Sequence, residues 1–316
     1  MPRVVISEFM DIEALEAFGD DFEVIYDPDL VDDAGRLLSE IAEADALIIR
    51  NRTRVDAVLL DAAPKLKAVG RLGVGLENVD LGTCTARGVG VYPATGANTQ
   101  SVVEYVIATM LILRRKAYAA SADVIAGNWP RAAVGAGAEI SGLTLGLVGF
   151  GAIARAVAAP ARALGMEIAA YDPFLTSSDP LWQITQKTKL NDLIRNSDVI
   201  SIHVPFTSET ADMIDAEMLD RMKQGALLIN TARGGIVDEV ALATALKTGK
   251  LGGAALDVFA TEPLTETAAS VFAGCPNLIL TPHIAGVTEQ ANRRVSEVTV
   301  QNILHAFETE ISPISR

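Results

Sequence analysis

The sequence predicts an α/β protein made of two doubly wound, parallel-sheet units, and three observations carry that prediction. Short apolar, β-forming runs alternate with helical patterns along the chain, which is the rhythm of βαβ units. One of these runs, residues 143–148, feeds directly into a glycine-rich turn and then an alanine-rich helical pattern. The length, 316 residues, suits about two domains of ordinary size with ample core.

In the first unit the strand-like runs are residues 4–7 (VVIS), 22–27 (FEVIYD), 46–50 (ALIIR), 66–72 (LKAVGRL) and 89–93 (VGVYP), separated by helical patterns around 12–18, 32–44, 56–62 and 80–87. None of its turns is a phosphate-type glycine turn, so this unit is not expected to bind a nucleotide. A long helix is expected from Thr99, because Ser101 and Glu104 have capping-box spacing ahead of the apolar periodicity of VVEYVIATMLIL. The second unit continues with a strand at 143–148, a second at 166–171, and strands at 198–204, 226–230, 253–258 and 278–282, with helices at 189–196, 215–222 and 238–248 between them. Six strands in this order suit two mononucleotide-binding halves. A final helix at 288–307 is expected to cross back onto the first unit. The expected domains are therefore a discontinuous, flavodoxin-like one (1–98 plus 287–316) and a Rossmann-like one (99–286), with a site in the cleft between them. No C-terminal regulatory domain is expected.

Composition narrows the function classes. Half of the residues are hydrophobic and 21% are charged, an ordinary balance for a globular chain. A net charge of −14 argues against nucleic acid and anionic membranes as partners, and requires a locally basic pocket for any anionic substrate. Cys84 and Cys275 are too few for a disulfide framework, and no Cys/His cluster has metal-ligand spacing, so no metal is expected. The start, MPRVVISEFMD, lacks the pattern of a signal peptide. The longest apolar run, residues 106–113, is too short to span a bilayer. A reducing cytoplasm is the expected location.

The turn after the 143–148 strand reads Gly149-Phe-Gly151-Ala-Ile-Ala154. A tight strand-to-helix turn needs Gly149, Gly151 lets a pyrophosphate approach the backbone, and small Ala154 lets helix and strand pack closely. The phosphates would sit on the helix N-terminus, where unpaired N–H groups and the dipole favour anions. The next strand ends at Asp172, about twenty residues on, where a ribose-binding acid is expected. A carboxylate there accepts the ribose hydroxyls and repels a 2′-phosphate, and Pro173-Phe174-Leu175 supplies no Arg, so the cofactor reads as NAD rather than NADP.

Three more segments begin at expected strand ends, the ligand edge of such a sheet: Asn230-Thr-Ala-Arg233, Asp257-Val-Phe-Ala-Thr-Glu262 and Thr281-Pro-His283. Arg, Glu and His converging there suit oxidation of a 2-hydroxy acid. The guanidinium forks onto carboxylate and C2 oxygen, the imidazole takes the hydroxyl proton, and the carboxylate orients the imidazole. His203 and His305 are read as structural.

With these residues in place, the chain resembles the D-isomer-specific 2-hydroxyacid dehydrogenase family. The ordered motifs are GRLGVGLENVD (70–80), NTQSVVEY (98–105), LGLVGFGAIA (145–154), SIHVP (201–205), NTARGGIVDE (230–239), ALDVFATEP (255–263) and TPHIAG (281–286). The resemblance implies His283 as acid/base, Glu262 as its partner and Arg233 as the substrate clamp, with the backbone of Val74 and Gly75 on the substrate carboxylate. It also implies cofactor contacts from Ala152, Ile153, Asp172, Val204, Thr231, Ala232, Arg233, Asp257 and His283 to Gly286. A homodimer is implied too, with Trp129 near its interface. NADH-sensing co-repressor relatives share this fold and triad; without appended interaction segments, the enzyme reading stands ahead of theirs.

For the substrate, Arg50 and Arg71 are expected at adjacent strand ends, which suggests a second anionic group opposite the carboxylate. Arg52 and Arg54 read equally as solvated loop charges. Phosphoglycerate dehydrogenases carry basic residues at the first two positions. The wording SEFMD, RNRTRVD and PATGANTQSVVEYV is more similar to the (S)-sulfolactate dehydrogenase branch. Because sulfur raises the priority of the sulfomethyl group, the S label there has the spatial arrangement of a D-hydroxy acid. The expected reaction is (S)-3-sulfolactate to 3-sulfopyruvate with NAD, and 3-phosphoglycerate or glycerate oxidation is the alternative.

Overall fold

Strands that are apolar on both sides need cover on both sides, which a parallel sheet flanked by helices provides. The computed structural model describes residues 1–308, and the chain divides into two compact units: Met1–Asn98 with the segment from Val287 onward, and Thr99–Gly286.

The first unit holds β1 (Arg3–Ile6), β2 (Glu23–Tyr26), β3 (Ala46–Ile49), β4 (Ala68–Arg71) and β5 (Gly90–Pro93), all parallel, in the order β2-β1-β3-β4-β5. Successive side chains of β1 alternate between two cores: Val4 and Ile6 pack with Phe18, Val300 and Ile303, while Val5 packs with Leu37 and Ile41. The helix Glu289–Glu308 lies on the first face. It rests directly on β4 because residue 70 has no side chain: a Cβ there would stand 2.8 Å from Thr299 Cγ2 and 3.1 Å from Ile303 Cγ1. Register pairs Ile49 with Arg71, so the C-terminal ends of β3 and β4 are neighbours. The helical pattern around 12–18 is a 3₁₀ segment, Ile12–Asp21, interrupted at Gly19 by a φ of +56°.

The second unit holds β6 (Thr144–Val148), β7 (Glu167–Tyr171), β8 (Gln186–Lys187), β9 (Val199–Ile202), β10 (Ala226–Asn230), β11 (Leu251–Leu256) and β12 (Leu278–Leu280). Their order, β12-β11-β10-β9-β6-β7-β8, reverses at β6, and such a switch point opens a ligand crevice at the strand C-termini. The seventh strand, β8, has only two residues, both polar and exposed, so it leaves no apolar run to read in the sequence. One face is covered by the helices Thr99–Arg115 and Ala152–Ala163, the other by Leu190–Asn196, Ala216–Arg221 and Glu239–Lys247. The first of these helices begins at Thr99, which puts Ser101 inside it and buried, while Glu104 accepts from the Gln100 side chain. The Ser101/Glu104 pair therefore does not form the helix cap that its spacing suggests.

Candidate active site

The glycine turn is shaped by backbone rather than by side chains. Gly149 has φ +85°, and a Cβ there would stand 2.6 Å from the His203 carbonyl and 2.9 Å from Val204 Cγ1, so a larger residue is excluded by conformation and by space. Gly151 precedes the helix Ala152–Ala163, which starts without a side-chain cap, and no heavy atom lies within 4 Å of a Cβ built on Gly151. There is thus room beside the start of this uncapped helix, whose first-turn N–H groups include those of Ala152 and Ile153, as an anion site requires. Ala154 is fully buried beneath them. At the end of β7 the Asp172 carboxylate accepts from Phe150 N and Phe174 N, each at 2.9 Å. It therefore braces the glycine turn as well as standing where a ribose acid belongs. Across the switch point, Thr231 Oγ1 is buried without a hydrogen-bond partner, a hydroxyl suited to a bound group. These residues fit a dinucleotide.

The three ionisable residues leave β10, β11 and β12, which are adjacent. After β10, buried Asn230 folds the loop by donating to the Arg233 carbonyl at 2.9 Å and accepting from Ala232 N at 3.0 Å, and Arg233 Nη1 donates to Ala232 O at 2.7 Å. Gly234 brings this loop against the next, since a Cβ on it would lie 1.8 Å from the Phe259 carbonyl. In that next loop Glu262 Oε1 accepts from Phe259 N at 2.9 Å, and Oε2 lies 2.7 Å from His283 Nδ1. A carboxylate only accepts, so Nδ1 carries the proton and Nε2 is the ring atom left to receive one. His283 itself has φ +56° and is held there by Asp257, whose carbonyl accepts from His283 N at 2.8 Å. The Asp257 carboxylate, 1% exposed, accepts from Thr281 Oγ1, Ile284 N and Ala285 N at 2.6, 2.8 and 2.7 Å. Gly286 closes this segment.

In the first unit, Val74 is exposed and Gly75 partly so. The Arg71 guanidinium folds over the loop: Nη1 donates to Leu72 O at 2.8 Å and would lie 1.7 Å from a Cβ on Gly73. Arg50 donates to Asn292 Oδ1 at 2.8 Å and to Phe9 O at 3.4 Å, with its guanidinium carbon 5.9 Å from the Phe9 ring centroid. It lines a groove of about 520 Å³ shared with Glu8, Asp29, Asn51 and Asn292. Arg52 is instead paired with Asp32. Sequence reasoning missed Glu8, Asn78 and Asn292. Each is a polar residue at a strand, loop or helix end, where periodicity carries no signal.

Comparison with known proteins agrees with this geometry. Residues 107–285 match the model of the D-isomer specific 2-hydroxyacid dehydrogenase, NAD binding domain. An (S)-sulfolactate dehydrogenase of Chromohalobacter salexigens is 53% identical over 97% of this chain and 99% of its own. The chain belongs to the D-isomer-specific 2-hydroxyacid dehydrogenases. A D-3-phosphoglycerate dehydrogenase of Mycobacterium leprae is 40% identical over 99% of this chain, which spans only 58% of that relative's length. Among solved structures, a D-lactate dehydrogenase of Aquifex aeolicus complexed with NAD and lactic acid superposes with a TM-score of 0.81, at 30% identity over 98% of this chain and 96% of its own. The protein is an NAD-dependent 2-hydroxyacid dehydrogenase.

Two histidines of the dehydrogenase differ in setting. His203 is packed at the end of β9 with Nε2 2.9 Å from Ser201 Oγ, and burial pulls its pKa down to about 4, so it is neutral at pH 7. His283, by contrast, is half exposed and faces the Glu262 carboxylate. Behind it, Tyr105 Oη lies 2.6 Å from Thr281 Oγ1, extending the Asp257 network to the helix Thr99–Arg115.

Proposed function

We propose that this dehydrogenase oxidises (S)-3-sulfolactate to 3-sulfopyruvate. The observation that carries the substrate class is the anchored Arg50 guanidinium at the strand end next to Arg71, two cations in a chain of net charge −14. The (S)-sulfolactate relative, similar over almost its whole length, supports sulfonate as the distal anion.

In this reading NAD, when bound, accepts the hydride from C2. Gly149, Gly151, Ala152 and Ile153 hold its pyrophosphate, Asp172 its ribose, and Val204, Thr231, Ala232, Asp257 and Gly286 the rest. His283 Nε2 takes the C2 hydroxyl proton, and the Glu262 carboxylate stabilises the positive charge that develops on the ring. Arg233 forks onto the substrate carboxylate and C2 oxygen, orienting C2. The backbone N–H groups at Val74 and Gly75 hold the carboxylate, and Arg50 with Arg71 binds the sulfonate.

Steady-state turnover of (S)-3-sulfolactate, 3-phosphoglycerate, D-glycerate and D-lactate with NAD tests the substrate. The expected order puts sulfolactate first; best turnover with D-lactate refutes a distal-anion site. Best turnover with 3-phosphoglycerate moves the enzyme to the other anionic substrate that Arg50 and Arg71 suit. His283→Asn is expected to abolish turnover while NAD still binds.

The exposed apolar side chains of the segment around Trp129 support a homodimer: Tyr118, Ile125 and Trp129 are exposed to 66%, 88% and 78%, and apolar surface of this kind is suited to burial against a partner. Sedimentation of the wild type and of Trp129→Asp checks it. Among the described residues no helix is long and apolar enough to cross a membrane, and both cysteines are free, which supports a reducing, cytoplasmic setting.

A further inference from the structure

The least expected group in the first unit is a buried acid. Glu8 follows β1 by two residues, is 4% exposed, and has no part in the chemistry above. Its carboxylate accepts three backbone N–H groups of one loop: Oε1 from Arg50 N at 2.8 Å and Thr53 N at 2.9 Å, and Oε2 from Arg52 N at 3.1 Å. The same loop is gripped through its carbonyls by Asn78 Nδ2, which donates to Arg50 O at 3.2 Å and Thr53 O at 2.6 Å. Ser7, beside Glu8, adds a contact of 2.9 Å between its Oγ and Thr53 Oγ1.

A loop with several amides converging on one point is an anion-binding nest. Here the chain fills that nest with its own carboxylate, so the Arg50, Arg52 and Thr53 amides are no longer available to a substrate anion. What the loop still offers is the Arg50 side chain, and Glu8 fixes the backbone from which that side chain departs. Arg50 is then aimed by Asn292 and Phe9. Asn78 ties the same loop to the segment that follows Val74 and Gly75, three residues along the chain.

We propose that Glu8 is a positioning residue that sets selectivity for the distal anion, by holding the residue 50–53 loop so that Arg50 is presented in one direction. This rests on the reading of Arg50 as the distal-anion group. Glutamine has the shape of glutamate but one acceptor oxygen, so in Glu8→Gln an amide faces at least one of the three N–H groups and the loop relaxes. Aspartate keeps the charge but is one methylene shorter and reaches fewer of them.

The test is the ratio of kcat/KM for (S)-3-sulfolactate to that for D-lactate, with NAD, in wild type, Glu8→Gln, Glu8→Asp and Arg50→Gln. The expected result is a ratio lowered about tenfold in Glu8→Gln, the equivalent of one charge-assisted hydrogen bond, expressed as a higher KM for sulfolactate. A smaller loss is expected in Glu8→Asp and the largest in Arg50→Gln. A general structural defect lowers both substrates together and leaves the ratio intact, which overturns the proposal. If Glu8→Gln does not fold, Glu8→Asp decides in the same way. A ratio unchanged in Arg50→Gln sinks the distal-anion reading itself. A ratio lost in Arg50→Gln but kept in both Glu8 variants overturns the positioning role alone.

Discussion

Asp257→Asn separates the groups that hold His283 from His283 itself. The carboxylate receives three donors in a buried site: Thr281 Oγ1 and Ile284 N on one oxygen, Ala285 N on the other. Asparagine fills the same volume with one oxygen and one amide. In one orientation the amide confronts Ala285 N–H; in the other it confronts Ile284 N–H and the Thr281 hydroxyl. An unsatisfied buried donor costs about 1–3 kcal/mol, and loss of the charge weakens each remaining bond by about 1 kcal/mol. The expected total is about 3–5 kcal/mol, at the upper end of what single substitutions do. Because His283 sits at φ +56°, a conformation it keeps only while its neighbours hold it, its ring is displaced as well, and a shift of about 1 Å costs roughly a hundredfold in turnover. Urea unfolding followed by far-UV circular dichroism measures the first effect, and kcat at saturating NAD the second. Destabilisation under about 1 kcal/mol together with kcat near wild type refutes the reasoning.

Glu262→Gln keeps the shape of the dyad and removes its charge; kcat is expected to fall about tenfold to a hundredfold in steady-state assays, and an unchanged kcat removes Glu262 from the proton transfer. Asp172→Ser is expected to raise KM for NAD and narrow the preference over NADP, since the carboxylate that repels a 2′-phosphate is gone; titration with both cofactors checks it. Gly70→Val should cost about 1–3 kcal/mol and lower the melting temperature, because its Cβ would meet Thr299 and Ile303. His203, with a folded pKa near 4 against 6.5 ordinarily, contributes stability that is complete above about pH 6.5 and lost as pH falls toward 4, by at most about 1.4 kcal/mol per pH unit. Unfolding at pH 7 and pH 5 should therefore show a steeper acid loss in wild type than in His203→Asn, and equal losses in the two would refute it.

Much of this was legible in residue order. Apolar runs such as ALLI before Asn230 and LGLV before Gly149 are long enough, and end abruptly enough, to mark strands and their ligand-facing ends. The glycine turn, Asp172, and the Glu262 and His283 loops could be read because each pairs a strand end with a chemically distinctive side chain. What stayed hidden depended on pairing across the fold. β8 is two polar residues that become a strand only by pairing with Ala169 and Ala170. Ser101 and Glu104 have the spacing of a cap but lie one turn too deep. Glu8 carries no signal until the loop after β3 folds around its carboxylate, and the bonds that the Asp257 carboxylate accepts from Thr281, Ile284 and Ala285 exist only because β11 and β12 lie side by side.

The first unit is assembled from two stretches of chain that are far apart in time during synthesis. Residues through Asn98 leave the ribosome with Val4, Ile6, Ala46, Ile48 and Ala68 facing a side of the sheet that is finished only when Val295, Val300 and Ile303 arrive. At ordinary elongation rates that wait is on the order of ten seconds or more. Thr99–Gly286, contiguous and carrying its own helices on both faces, can close in the meantime. The nascent N-terminal sheet thus keeps an apolar face uncovered through that interval, the kind of surface that aggregates unless it is shielded.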